Sequence, residues 1–263
     1  MILSFVRSLD SSVNEASRVL TQGIFVGDMY DFAIRITQYI RPIAITILGL
    51  CFVLEFLKII IHAEILKWET GLKVGAKLIL TYVALDITPQ LMEAIYATGQ
   101  YLTSMVAEST HDIGSLVATS LHNALNDLSL LQAIGMIATV GIAFLVVWLA
   151  GIVILVLAYA RSIELLLHIA ISPLPCAFIL LEDHHGSRIF WKFVMSFAAN
   201  CLQGLFIVLS IALYDVMVIE ILETALEIGA DLPAIAGSLL LGAIVLVVCV
   251  VKSGSVAKQI LDV

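Results

Sequence analysis

The chain has 263 residues, of which 61% are hydrophobic and only 13% are charged, and its mean hydropathy is +1.09. Soluble domains are roughly half apolar, so this composition predicts an integral membrane protein. The net charge of −8 argues against a broad basic surface for nucleic acids, because such binding depends on clustered Lys and Arg. The alternating pattern of a membrane β-barrel is absent, so the predicted fold class is all-α, a polytopic membrane helix bundle.

Residues 1–41 are predicted to form an amphipathic N-terminal arm. FVRSLDSSVNEASRVL and DMYDFAIRITQYI repeat apolar residues at a spacing of three to four, as amphipathic helices do. The arm is expected to lie along the membrane interface or to pack on the bundle. No uninterrupted apolar stretch precedes a small-residue cleavage site, so no removed signal peptide is expected.

The remainder, 42–263, is predicted to be the transmembrane bundle. Runs of about 20 apolar residues can each cross a hydrocarbon core of ~30 Å. An extramembrane insertion is predicted over 97–132, and 162–181 is predicted not to cross. Pro42 is expected in the first turn of the first span, where its missing N–H costs nothing. The predicted spans are 42–61, 74–96, 133–160, 191–218 and 233–251.

The second predicted span is the least apolar because it carries Lys77, Asp86, Pro89 and Glu93. We expect protein to shield part of it. Asp86 and Glu93 stand at i and i+7, on one helix face. Two interpretations stay open for this pair: the carboxylates carry protons, or their face packs against the bundle.

The segment RSIELLLHIAISPLPC, residues 161–176, decides the topology. If it begins a separate crossing there are six spans, and the basic link at 62–73 faces away from the basic C-terminal tail. If it does not cross, there are five, and the basic residues from the first span onward share one face. The five-span alternative is favoured, with the N-terminus outside and the C-terminus cytoplasmic. The residues concerned are Lys58, Lys67, Lys73, Arg161, Arg188, Lys192, Lys252 and Lys258.

The same segment holds three polar residues, Arg161, Glu164 and His168, at i, i+3 and i+7. This spacing places them on one helix face and lets Arg161 and Glu164 pair. The alternatives are an interfacial anchor pair, the lining of a polar conduit or a subunit contact, and lipid-headgroup binding. Pro173 and Pro175 then end any helix, and a broken backbone at membrane depth must be lined by protein or by a cavity.

Two later spans carry faces of small or amide residues. Asn200 and Gln203 lie in SFAANCLQG, where helix–helix contact and pore lining are both open interpretations. Ala234, Ser238 and Gly242 give a second face suited to close helix packing.

The sequence contains no recognisable catalytic or cofactor-binding motif. Nucleotide-binding, metalloprotease and serine-hydrolase motifs are absent, and His184 and His185 form a loop cluster without ligand spacing. The four cysteines are expected to be small buried hydrophobic residues. No catalytic residue, metal or cofactor is predicted, and only a bound phospholipid is left open.

The block 156–218 resembles the TrbL-like polytopic subunit of conjugative type IV secretion systems, in the form carried by mobile elements of Gram-positive bacteria. Residues 68–102 are similar to the second-span region of that family, whereas the N-terminal arm and residues 105–132 are unmatched. The elements that carry the resemblance are R-x-x-E at Arg161 and Glu164, S-P-x-P at Ser172, Pro173 and Pro175, EDHHG from Glu182 to Gly186, FWKF at 190–193, and Q-G at Gln203 and Gly204.

The resemblance implies a non-enzymatic channel component of the bacterial cytoplasmic membrane, arranged as a ring of about five copies. Its implied partners are a secretion ATPase, a coupling protein, other channel subunits, membrane lipids and a relaxase-bound single DNA strand. A proton-coupled or small-solute transporter is the alternative, suggested by the proline-broken segments together with Asp86 and Glu93. Such transporters usually show internal pseudo-symmetry, which the sequence lacks.

Overall fold

The computed structural model describes residues 15–21, 28–62, 68–108, 130–181, 184–228 and 232–262. Helix accounts for 97% of them and none is in a strand, which confirms the predicted all-α fold. A short helical segment covers 15–21, and a 3₁₀ turn, Phe178–Leu180, follows α4. The principal helices are α1 Asp28–His62, α2 Trp68–Ala107, α3 Leu130–Ile171, α4 Pro173–Ala177, α5 His184–Ile228 and α6 Leu232–Ile260.

Five stretches of the described chain are long and apolar enough to cross a membrane. The third contains the whole region of the proline break, so the break does not start a separate candidate span. A helix rises ~1.5 Å per residue, so each stretch exceeds the length that a bilayer core requires. The chain is therefore a multi-pass membrane protein. The stretches are Asp28–Lys58, Gly71–Ala107, Trp148–Leu180, Gly186–Ile221 and Leu240–Ile260.

The helices begin earlier or end later than the sequence pattern indicates. α1 starts at Asp28 and continues through Pro42, so the expectation that Pro42 stands in a first turn is wrong. Proline fixes φ near the helical value, and membrane helices tolerate it where neighbouring groups satisfy the freed carbonyl. α2 extends to Ala107, inside the predicted insertion, of which residues 109–129 lie outside the described part.

α3 also passes Arg161 and ends only at Ile171. Charged residues keep their backbone N–H and are compatible with a helix, so Arg161 and Glu164 give no reason for it to stop. The first residue that cannot donate the next helical hydrogen bond is Pro173. The helix end is therefore set by the proline and not by the charges.

By packing, the chain divides into two units. Unit 1 comprises the segment 15–21, the end of α2 from Gln100, α3 up to Arg161, and the parts of α5 and α6 from Leu202 to Ala257. The Gln100 side-chain amide donates a 2.7 Å hydrogen bond to the carbonyl of Thr21. Its apolar core consists of Ala16, Leu20, Ile154, Ala158, Ile207, Val208, Ile211, Leu246 and Val250.

Unit 2 comprises α1, α2 up to Gly99, α3 from Ser162, the break, α5 up to Cys201, and the end of α6 from Lys258. One of its core clusters packs α1 and α2 against α4 and the 3₁₀ turn. It contains Ala44, Leu48, Cys51, Leu85, Cys176, Ala177 and Leu180. A second cluster packs α2, α3 and α5 together through Met92, Tyr96, Leu165, Ile169, Val194, Phe197 and Cys201.

Candidate functional site

Hydroxyl groups of neighbouring helices in unit 2 form hydrogen bonds at the backbone break after α3. Because Pro173 has no N–H, the carbonyl of Ile169 loses the donor that a continuous helix would supply. The backbone N–H of Ser172 lies 3.2 Å from this oxygen, and the Thr37 hydroxyl of α1 lies 3.3 Å from it. Thr37 also lies 3.0 Å from the carbonyl of Ala33, so its single hydrogen serves two acceptors. A neighbouring helix thus stabilises the broken end of α3.

The other side of the break is held by α2. The Thr88 hydroxyl lies 2.7 Å from the Cys176 sulfur in α4 and 2.6 Å from the carbonyl of Ala84. Ser172, Pro173 and Cys176 are all buried. Among the described residues the Ser172 hydroxyl has no hydrogen-bond partner. Pro175, the second proline of the break, is half-buried.

Arg161 lies against a glycine in unit 1. Arg161 is only 3% exposed, although it is a charged residue in a candidate membrane-spanning helix. A Cβ atom on Gly204 would lie 2.2 Å from the Arg161 Cζ, which is far inside van der Waals contact. Gly204 therefore provides the space in which the guanidinium group rests. This contact joins the R-x-x-E element to the Q-G element, because α3 supplies the arginine and α5 supplies the glycine.

The neighbouring Gln203 makes the corresponding contact with α6. A Cβ atom on Gly254 would lie 3.1 Å from the Gln203 Nε2. Glycines thus allow the two long polar side chains Arg161 and Gln203 to pack between helices of unit 1. The structure places Gln203 at a helix–helix contact, one of the two interpretations left open for it.

The three polar residues of α3 do not share one environment. Glu164 is exposed, and His168 is half-buried. The His168 Nδ1 donates a 2.8 Å hydrogen bond to the carbonyl of Glu164, and its ring stacks on Phe193 with centroids 5.4 Å apart. Asn200 is 2% exposed. Of these four residues, only Glu164 is exposed.

The small-residue face of α6 is described only at Gly242. A Cβ atom there would lie 2.9 Å from the Met217 Cε and 3.2 Å from the Tyr214 Cε2. This glycine permits close packing of α5 and α6 within unit 1. The side chains of Ala234 and Ser238 lie outside the described part, as do those of His184 and His185.

Asp86 and Glu93 are both exposed on α2. Asp86 forms an ion pair with Arg41 of α1, and the two side chains are 45% and 43% exposed. The pair joins α1 to α2 in unit 2. An ion pair gives Asp86 a structural role that the sequence pattern did not indicate.

Sequence reasoning missed several buried polar residues. Thr37 and Thr88 read as ordinary helix residues, and their role depends on which helix packs beside the proline break. Glu55 and Asp215 are 3% and 8% exposed, and each stands in a candidate span. The sequence could have identified Glu55 and Asp215, because a single acidic residue in an apolar membrane helix is unusual.

The prediction that all four cysteines are buried is wrong for one of them. Cys51, Cys176 and Cys201 are buried as expected, but Cys249 is exposed, as is the adjacent Val248. Among the residues that the structure describes, no group of three or more His, Cys, Asp or Glu side chains could hold a metal ion.

Comparison with known families gives one match. The chain matches the model of the TrbL/VirB6 plasmid conjugal transfer-like family over residues 12–173. The expectation that the N-terminal arm and residues 105–132 are unmatched is wrong, since the match covers residues 12–41 of the arm and the whole of 105–132. Pro175 of S-P-x-P, EDHHG, FWKF and Q-G lie beyond it. No curated protein and no solved structure matches the chain. With more than half of its length matched, the protein belongs to the TrbL/VirB6 plasmid conjugal transfer-like family.

Proposed function

We propose that this protein is a channel or scaffold subunit of a conjugative type IV secretion system, which helps a relaxase-bound single DNA strand cross the cytoplasmic membrane. The observation that carries the proposal is the family match over residues 12–173 in a chain with five candidate membrane spans. The family is a structural membrane component of transfer systems, so no catalytic role is proposed.

The buried polar residues support a framework role. Arg161 and Gln203 pack against glycines of neighbouring helices, and Thr37 bonds the broken end of α3. These contacts fix helix positions at polar points inside an apolar bundle. Exposed Glu164 is the residue of the R-x-x-E motif that we assign to contact with another subunit.

The subunit is proposed to act in a ring of about five copies, together with a secretion ATPase and a coupling protein. Its N-terminus is assigned to the outside and its C-terminus to the cytoplasm, because this places the basic loops after the first span on the cytoplasmic side. The acidic net charge is compatible with this role, because a strand inside a ring meets only the residues that face the lumen.

A proton-coupled or small-solute transporter is the second candidate, and exposed Glu93 with Asp86 favours it. The ion pair with Arg41 weakens the case for Asp86, because a proton carrier must give up and regain its charge. If the protein were such a transporter, the purified protein in proteoliposomes would show proton-coupled flux, and Glu93→Gln would abolish that flux. No flux is expected if the channel proposal is correct.

The direct test is transfer of the mobile element after deletion of the gene. We expect transfer to fall to background and to return when the wild-type gene is supplied in trans. Glu164→Gln should restore it incompletely while accumulating normally in the membrane. Undiminished transfer in a verified deletion would contradict the proposal.

A further inference from the structure

The start of α5 presents two cations and an indole ring on one exposed face. Arg188 and Lys192 are exposed, Trp191 is 56% exposed, and Met195 follows one turn later at 38%. The spacings i, i+3, i+4 and i+7 bring these side chains to one side of the helix. Neither cation forms an ion pair with any residue in the described part of the chain. We call Arg188, Trp191 and Lys192 the α5 basic face.

The α5 basic face lies at the start of a helix whose backbone is packed closely against the rest of unit 2. A Cβ atom on Gly186 would lie only 2.1 Å from the Phe178 carbonyl oxygen, so the backbone of α5 lies directly on the 3₁₀ turn. Phe190 packs against both core clusters of unit 2 and contacts the Trp191 ring, with centroids 5.9 Å apart. The α5 basic face therefore has a fixed backbone and a partly fixed indole.

The face lies at the end of a span and not in its middle. Residues 193–214 contain no charged side chain, and a helix of that length alone crosses ~30 Å of hydrocarbon. The candidate span begins at Gly186, so its first two turns extend beyond that apolar run. Trp, Lys and Arg are enriched at this depth, where lipid headgroups meet the hydrocarbon.

We propose that the α5 basic face binds the headgroup of an anionic phospholipid. The Arg188 guanidinium can donate two parallel hydrogen bonds to phosphate oxygens, and the Lys192 ammonium adds a second positive charge. The Trp191 indole would lie at the level of the glycerol backbone, and Met195 would contact the acyl chain. This inference does not depend on the proposed role in DNA transfer.

Lipid binding to the full-length protein in neutral detergent tests the proposal. Native mass spectrometry would measure the affinities for phosphatidylglycerol and for phosphatidylcholine. Wild-type protein should prefer phosphatidylglycerol, and each cation removed should weaken its binding about fivefold. Arg188→Gln/Lys192→Gln should lose the preference. Lys258→Gln, which removes an exposed cation of α6, is the matched control and should keep it.

Three outcomes would overturn the proposal. The double variant is expected to fold, and an unchanged helical circular dichroism spectrum checks this. If the folded variant retains the wild-type preference, the α5 basic face is not the binding site. Displacement of the lipid by millimolar inorganic phosphate would show a site for free anions. Binding of a single-stranded oligonucleotide that is lost in the same variant would assign the face to nucleic acid.

Discussion

The guanidinium group of Arg161 lies against the backbone of Gly204, and this contact joins α3 to α5 inside unit 1. Gly204→Ala should force the arginine out of its place, because a methyl group there would overlap its Cζ. We expect a loss of about 1–3 kcal/mol in unfolding free energy, the range typical of overpacking. Reversible unfolding of the detergent-solubilised protein measures it.

A matched control separates this contact from a general effect of removing a helical glycine. Gly49→Ala introduces a methyl group with nothing within 4 Å, so it should stabilise α1 by about 0.5–1 kcal/mol. In addition, Arg161→Ala should reduce the cost of Gly204→Ala, since the clash disappears. Strictly additive effects in this cycle would contradict the assigned contact.

Thr37→Val tests the hydroxyl that bonds the broken end of α3. The substitution keeps the side-chain shape and removes the donor to the Ile169 carbonyl, so stability should fall by about 1 kcal/mol. Pro173→Ala restores a backbone N–H to that carbonyl, and Thr37→Val should then cost less. Thr46→Val, which removes only a bond to its own helix, is the control. Equal costs with and without Pro173 would rule out the proposed compensation.

The sequence predicted the helical membrane fold and the break well, because both depend on local properties. Long apolar runs require helices in lipid, and Pro173 removes a hydrogen bond wherever it stands. The partners of Arg161 and of the Ile169 carbonyl could not be predicted, because Gly204 and Thr37 are distant in sequence. Spacing likewise placed Arg161, Glu164 and His168 on one face, but only neighbouring helices decide which of them is buried.

The Arg41–Asp86 ion pair is expected to be worth more than a pair in water, because both residues belong to candidate membrane spans. Asp86→Asn should lower stability by about 1–3 kcal/mol, and the exchange Arg41→Asp/Asp86→Arg should recover most of it. The exposed Arg18–Glu15 pair, which raises the pKa of Arg18, lies outside the candidate spans and provides the control. Glu15→Gln should give no measurable change. Equal effects at both pairs would place Arg41 and Asp86 in water.

Gly242 should tolerate no large side chain, because Met217 and Tyr214 fill the space above it. Gly242→Leu should separate α5 from α6 in unit 1 and reduce the amount of folded protein in the membrane. Gly237→Leu places the same side chain where nothing lies within 4 Å and should leave that amount unchanged. Fluorescence-detected size-exclusion chromatography of both variants gives the comparison. A normal profile for Gly242→Leu would contradict the close packing at this position.

The orientation proposed for the chain can be tested at Ser187 and Ser255, which are both exposed. With five crossings, one helix pair separates these positions, α5 leaving the cytoplasmic side and α6 returning to it. Cysteines introduced there in a background without the four native cysteines should both react with a membrane-impermeant maleimide only after the cytoplasmic side is opened. A cysteine at Thr224, exposed near the end of α5, should react from the outside and serves as the opposite-side control. Labelling of both Ser187 and Ser255 from the outside would overturn the assignment of the termini.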